Sequence, residues 1–235
     1  MSDVDFTWLG HGSYRFWTAS RKTFLYADPW LDGPTFPESE KNPERIDILM
    51  ITHGHSDHVG SAVELCKRYS PKVVAIFELA NWLESQGAEG ASALGMNKGG
   101  TVEVEGIKFT MTNALHSSGL LGGEGGPVYL GDAAGYVVEF ENGLKVYCAG
   151  DTAVFGDMEL IGRLYSPDVA VLPIGDQFTM GPRDAGYALE LIGATRCIPV
   201  HWGTFPALTG TPDELRKHAK GVEVLAVEPG ETIEL

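Results

Sequence analysis

Apolar positions along the chain fall into short runs rich in β-branched and aromatic residues, each closed by Gly, Pro, Asn or Asp. Such runs read as strands, here over 5–9, 13–17, 23–26, 46–51, 72–76, 101–104, 107–112, 135–140, 144–148, 169–172, 196–199 and 223–226. Asn142-Gly143, between two of them, marks a tight hairpin. Helical spacing is rarer. Residues 57–69 carry apolar Val59, Val63, Leu65 and Cys66, with Ser56 or Asp57 as the cap. Residues 182–192 begin with Pro182, which suits a first helical turn. Thr211-Pro212-Asp213-Glu214 combines an N-cap, Pro at N1 and Glu at N3, predicting a helix through Ala219. Two more are read over 78–85 and 157–164.

Strands dominate the first part, and strand–helix alternation follows. The mixture predicts sheets packed together with helices outside, in one domain over residues 1–235 without a linker. The Gly-rich stretch 119–135 reads as a surface loop.

Composition narrows the partners. At 235 residues the chain is long enough for a sizeable core. No apolar run approaches the ~20 residues that cross a bilayer, and the acidic N-terminus lacks the features of a signal peptide. A cytoplasmic setting is expected. Three scattered cysteines, Cys66, Cys148 and Cys197, point to reduced thiols, the last two buried as small hydrophobes. A net charge of −15 disfavours long nucleic acids and anionic membranes. A small-molecule substrate is expected, an anionic one included, and association of identical copies stays open.

The chemistry concentrates behind the run 46–51. His53-Gly54-His55-Ser56-Asp57-His58 packs three imidazoles and a carboxylate onto one strand end. Imidazole is the commonest neutral ligand of transition metals, and a carboxylate adds charge to hold a divalent ion. Capping or core histidines are the alternative, but three in six residues beside an Asp fit a metal site better, with more than one ion. His116, Asp151 and His201 follow other apolar strands in the same way, as groups sharing one sheet rim do. Taken singly each is an ordinary turn residue; together and in this order they read as ligands.

The pattern His53-x-His55-x-Asp57-His58 with His116, Asp151 and His201 resembles the metallo-β-lactamase superfamily over nearly the whole chain. The segments 8–13, 147–152, 173–182 and 199–206 are similar to the UPF0173 metal-dependent hydrolases, near the lactonase-like branch. The resemblance implies an α+β fold, the αβ/βα four-layer sandwich of two mixed sheets face to face with helices outside. It also implies two divalent metal ions, zinc first, with manganese, iron and nickel also suited to His and Asp. His53, His55 and His116 would hold one ion, Asp57, His58 and His201 the other, and Asp151 would bridge them. One departure stands at Trp202-Gly203, where Tyr-Asn is expected; these neighbours are read as pocket lining, so the departure bears on substrate choice.

The candidate catalytic residues are Asp57, Asp151 and His11. In Gly10-His11-Gly12, His11 is either a substrate contact or proton donor, or a turn histidine bonded to backbone. Asp28 either orients a ligand imidazole or starts a turn before Pro29. Asp176 and Thr179 either border the pocket or sit in an ordinary turn, and His218 reads as part of a solvated helix face. The function expected is a dinuclear hydrolase whose metal-bridging hydroxide attacks an ester, lactone, amide or phosphoester. Iron-dependent oxidoreduction on the same fold is disfavoured by His55, where a carboxylate is usual, and by the lack of a flavin-binding domain. A degenerate binding protein would have lost ligands, and a nuclease-like phosphodiesterase would carry a basic patch.

Overall fold

Burial alternates along β2 (Tyr14–Thr18), with Tyr14, Phe16 and Thr18 inside and Arg15 and Trp17 half-buried. That period of two belongs to a strand with one face on a core. The computed structural model describes residues 4–121 and 126–235. In it β2 lies between β1 (Val4–Trp8) and β3 (Thr23–Ala27), in a sheet continued by β4 (Ile48–Met50) and β5 (Lys72–Val74) and edged beyond β1 by β15 (Thr232–Glu234). The β15–β3 part is antiparallel and the β3–β5 part parallel.

A second sheet repeats this mixture. β6 (Thr101–Val104), β7 (Ile107–Asn113), β10 (Ala134–Glu139) and β11 (Lys145–Cys148) are antiparallel. β12 (Val169–Pro173), β13 (Arg196–Val200) and β14 (Glu223–Val224) then add in parallel. Asn142-Gly143 makes the predicted hairpin between β10 and β11, with Gly143 at φ 88°.

Side chains of the second sheet divide by parity. Val146, Cys148, Val171 and Ile198 join Phe6, Phe16, Leu25 and Ile48 of the first sheet in one core. Tyr147, Ala170, Leu172 and Cys197 point the other way, onto α4 (Met158–Tyr165), α5 (Pro182–Ile192) and α6 (Pro212–His218). Burial on both faces explains why these strands read as continuous apolar runs. On the first sheet, α2 (Ala62–Tyr69) and α3 (Phe77–Ser85) contribute Leu65, Cys66, Leu79 and Leu83 to the core. The result is the expected αβ/βα sandwich.

Three expectations change. The helix read over 57–69 is two, α1 (Ser56–Val59) and α2, broken at Gly60-Ser61. The Ser61 hydroxyl accepts the Leu31 N–H at 2.9 Å, tying the break to the loop after β3. Neither Ser56 nor Asp57 caps α1; His55 takes the cap position, without a side-chain bond. The Gly-rich stretch is not loop throughout. β8 (Gly119–Leu120) pairs with β9 (Val128–Tyr129), an antiparallel ladder made of backbone bonds that side-chain propensity does not announce. Residues 122–125 of that stretch lie outside the described residues. Among the described residues no helix is long and apolar enough to cross a membrane.

Candidate metal centre

The strands β1, β4, β7, β11 and β13 run out into the turns that carry His11, the 53–58 segment, His116, Asp151 and His201. Several of these turns use backbone that L-residues rarely adopt: φ is 50° at His11, 44° at Asp28 and 55° at His201. Clustered left-handed residues of this kind persist where the surroundings over-determine them. Here the His11 carbonyl accepts both the His201 N–H at 2.8 Å and the Trp8 indole N–H at 2.9 Å. Beside Asp151, Gly150 takes φ 64°, and a Cβ there would meet Ala134 O at 2.8 Å.

Asp28 organises the floor. Its Oδ1 accepts the Thr52 N–H at 2.8 Å, and its Oδ2 accepts the Thr52 hydroxyl at 2.6 Å and His58 Nδ1 at 2.8 Å. Having donated to Asp28, the Thr52 oxygen is left to accept from His53 Nδ1, 3.0 Å away. One carboxylate therefore holds the Nδ1 protons of two imidazoles in place, turning the Nε2 atoms of His53 and His58 away from it. Of the two readings of Asp28, the structure places the imidazole-orienting contact.

The metal-capable atoms fall into two neighbouring groups, joined beneath by a third set, Asp28, His53 and His58. His53, His55 and His116 form one, and His11, Asp57, His58 and His201 the other, each with ligand atoms within 4.8 Å of one another. Asp151 stands between them. Its Oδ2 lies 3.3 Å from His58 Nε2, 3.1 Å from His201 Nε2 and 3.7 Å from His116 Nε2. The His58 and His201 contacts lack hydrogen-bond geometry, so both buried Nε2 atoms are left without a hydrogen-bond partner. In the first group His53 Nε2 and His55 Nδ1 approach to 2.9 Å, while His55 Nε2 faces the Ser117 hydroxyl at 3.3 Å. Buried imidazole nitrogens converging beside a carboxylate, with no partner of their own, suit divalent cations.

His11 is not bonded to backbone through its ring. Its Nε2 lies 2.9 Å from Asp57 Oδ2 and its Nδ1 2.9 Å from the Thr204 hydroxyl. A neutral ring satisfies both by donating from Nε2 and accepting at Nδ1.

Burial dominates the charges here. It lowers His11 to about 4, against the pull of Asp57. It also pushes His53 well below the ordinary imidazole value and lowers His55 and His116. Neutral imidazoles are the metal-binding form. His58 goes the other way: burial opposes its charge, but Asp151 and Asp28 together outweigh it and hold its pKa well above the usual. Burial likewise works against ionised Asp57 and Asp151, yet His11 and His58 keep the first low, and His201 and His58 keep the second well below the carboxylate range.

Beside these groups lies a cavity of about 470 Å³, whose lining includes Trp30, Phe178 and Phe205. Asp176 and Thr179 do not line it; they shape the turn at Gly175–Pro182, which contributes Phe178 instead. Trp202 and Gly203 do not line it either. The Trp202 ring stacks on Trp8 at 5.2 Å, because its indole N–H is drawn back to Pro199 O at 3.1 Å. His218 is exposed on α6, and the three cysteines are free and buried. The sequence does not single out Thr52 or Trp30, and Gly12, Phe178, Thr204 and Phe205 lie in the segments 8–13, 173–182 and 199–206 without a role of their own there.

Residues 23–202 match the β-lactamase superfamily domain. A UPF0173 metal-dependent hydrolase of Koribacter versatilis is 47% identical over 233 residues, covering 99% of this chain and 98% of that protein. Another, from Solibacter usitatus, is 48% identical, with 98% and 100% covered. Among solved structures, the metallo hydrolase Igni18 of the archaeon Ignicoccus hospitalis superposes with a TM-score of 0.85 at 31% identity, covering 98% of this chain and 97% of that one. With its sandwich, its seven convergent ligand-type side chains and relatives matched end to end, the chain belongs to the β-lactamase superfamily and, within it, to the UPF0173 metal-dependent hydrolases.

Proposed function

We propose that this protein is a dinuclear hydrolase that cleaves an ester, lactone, amide or phosphoester bond in a small molecule. His53, His55 and His116 would hold one divalent ion, Asp57, His58 and His201 the second, and Asp151 both. The observation that carries the reading is the pair of buried, partnerless Nε2 atoms of His58 and His201 beside Asp151 Oδ2. Zinc is the ion we favour, since clustered imidazoles with carboxylates beside them and an open position suit a catalytic zinc site. Bound ions of this kind acidify a shared water toward neutrality and polarise the oxygen under attack.

The chain's own residues do the rest. Asp28 keeps protons at Nδ1 of His53 and His58, so their Nε2 atoms stay available. His11, holding a proton at Nε2 against Asp57 Oδ2, positions that carboxylate, and Thr204 in turn fixes the His11 ring. Trp30 and Phe205, ring centroids 6.1 Å apart, add an apolar face beside the site. Three free thiols fit a reducing compartment, and we place the protein in the cytoplasm.

Metal analysis and turnover of the zinc-loaded protein test this. Two ions per chain are expected, and Asp151→Ala should lose one ion and the hydrolysis of generic esters. A single ion in the native protein, or full turnover in an Asp151→Ala protein that has lost one, would refute the dinuclear mechanism.

A further inference from the structure

The cavity beside the metal-capable groups has an uneven lining. It combines imidazoles and the carboxylates of Asp57 and Asp151 with the rings of Trp30, Phe178 and Phe205, and with Ser56 and Ser117. None of the described residues lining it is Lys or Arg. Three carboxylates, Asp28, Asp57 and Asp151, lie within or directly beneath the site. They offset most of the charge two divalent ions would bring, and the chain as a whole carries −15. A substrate whose carboxylate or phosphate lay away from the ions would find no Lys or Arg in the lining to receive it and would lose hydration on entering.

The aromatic wall is open to a ligand. Phe178 is 54% exposed and Phe205 38% exposed, and both line the cavity. Trp30 and Phe205 flank His11, with ring centroids 5.4 Å and 5.6 Å from it. Rings that are half in solvent at the mouth of a cavity gain most from an apolar or aromatic group that covers them. The space, about 470 Å³, is on the order of fifteen water volumes, room for a bicyclic small molecule but not for a polymer.

Building on the hydrolase reading above, we infer that the substrate is an uncharged small molecule. Its scissile carbonyl would sit among the imidazoles, and an aromatic or branched apolar group beside it would lie against Phe178, Phe205 and Trp30. Anionic phosphoesters and carboxylate-bearing lactams would be poor substrates.

Three non-hydrolysable ketones test the assignment through binding to the zinc-loaded protein, followed by ligand-detected NMR. They are cyclopentanone, 3-phenylcyclopentanone and 3-oxocyclopentanecarboxylate. The phenyl ketone should bind about tenfold tighter than cyclopentanone, and the carboxylate no tighter. Phe178→Ala/Phe205→Ala should reduce the phenyl preference to about twofold, the two rings being exposed enough for the fold to survive their loss. Either single variant serves if the double one is unstable. Tighter binding of the carboxylate than of the phenyl ketone overturns the inference, as does a phenyl preference undiminished in the variants. If the phenyl ketone binds as expected but the corresponding lactones, esters and amides are all left intact, the pocket assignment stands and the hydrolase reading falls.

Discussion

His58 Nδ1 and Asp28 Oδ2 stand 2.8 Å apart beneath the site, both side chains almost fully buried. The same oxygen accepts the Thr52 hydroxyl, which supports His53. Because His53 belongs to one metal-capable group and His58 to the other, a single carboxylate orients a ligand on each side of Asp151.

Asp28→Asn keeps the shape but cannot accept at both positions that the Asp28 oxygens serve. Zinc affinity, measured by competition with a chromogenic chelator, should fall about 10–100-fold, the usual loss when such a supporting contact is removed. An affinity within about twofold of the native protein would show that the ring orientation does not depend on Asp28.

Gly12→Ala should disturb the same ring from above. A Cβ there would lie 2.6 Å from His58 Cε1 and 3.2 Å from its Nδ1, and the bond to Asp28 leaves the ring no room to retreat. Overpacking of this kind costs about 1–3 kcal/mol, which in a chain of this size lowers Tm by roughly 2–10 °C. Calorimetry of the metal-free variant gives the answer, and an unchanged Tm would mean that the turn at Gly12 yields instead.

The metal-free protein should lose stability on the acid side of neutrality. Burial holds His53, His11, His55 and His116 below the ordinary imidazole value of 6.5. As pH falls through 6.5 the unfolded chain takes up protons that the folded one refuses, so their contribution tilts toward unfolding. His58 has the opposite sign: raised by Asp151 and Asp28 over the opposition of burial, it stabilises fully below 6.5, and that stability goes as pH rises through its folded value. Asp57 and Asp151, held low by their histidine partners against burial, stabilise above about 3.8 and cease to do so below it. Urea midpoints should therefore decline between pH 6.5 and 5, then fall again below about 4. A midpoint that stays flat from pH 7 to 5 would contradict the assignment of neutral buried imidazoles.

Most strands were legible because their signals are local. The alternation of Tyr14, Phe16 and Thr18, the Asn142-Gly143 turn and the Thr211 cap each act within a few residues. Short elements escaped. β8, β9 and β15 are held by backbone pairing to remote partners and have too few side chains to show a period. The break at Gly60-Ser61 depends on Leu31, thirty residues away.

The candidate site divides along the same line. His53, His55, Asp57 and His58 announce themselves in one turn, and His116, Asp151 and His201 follow strands that end at the same rim. Their chemical type and order are properties of the chain alone. What they share is a matter of tertiary structure: that Asp151 stands between two groups, that Asp28 holds two Nδ1 protons in place, and that His11 meets Asp57 and Thr204. The cavity wall is of the same kind: Phe178 and Phe205 line it, while Trp202, read as lining, stacks on Trp8 instead. Covalent neighbours set which ligands the chain can offer; the packing of distant strand ends sets which lone pairs meet and what surface a substrate touches.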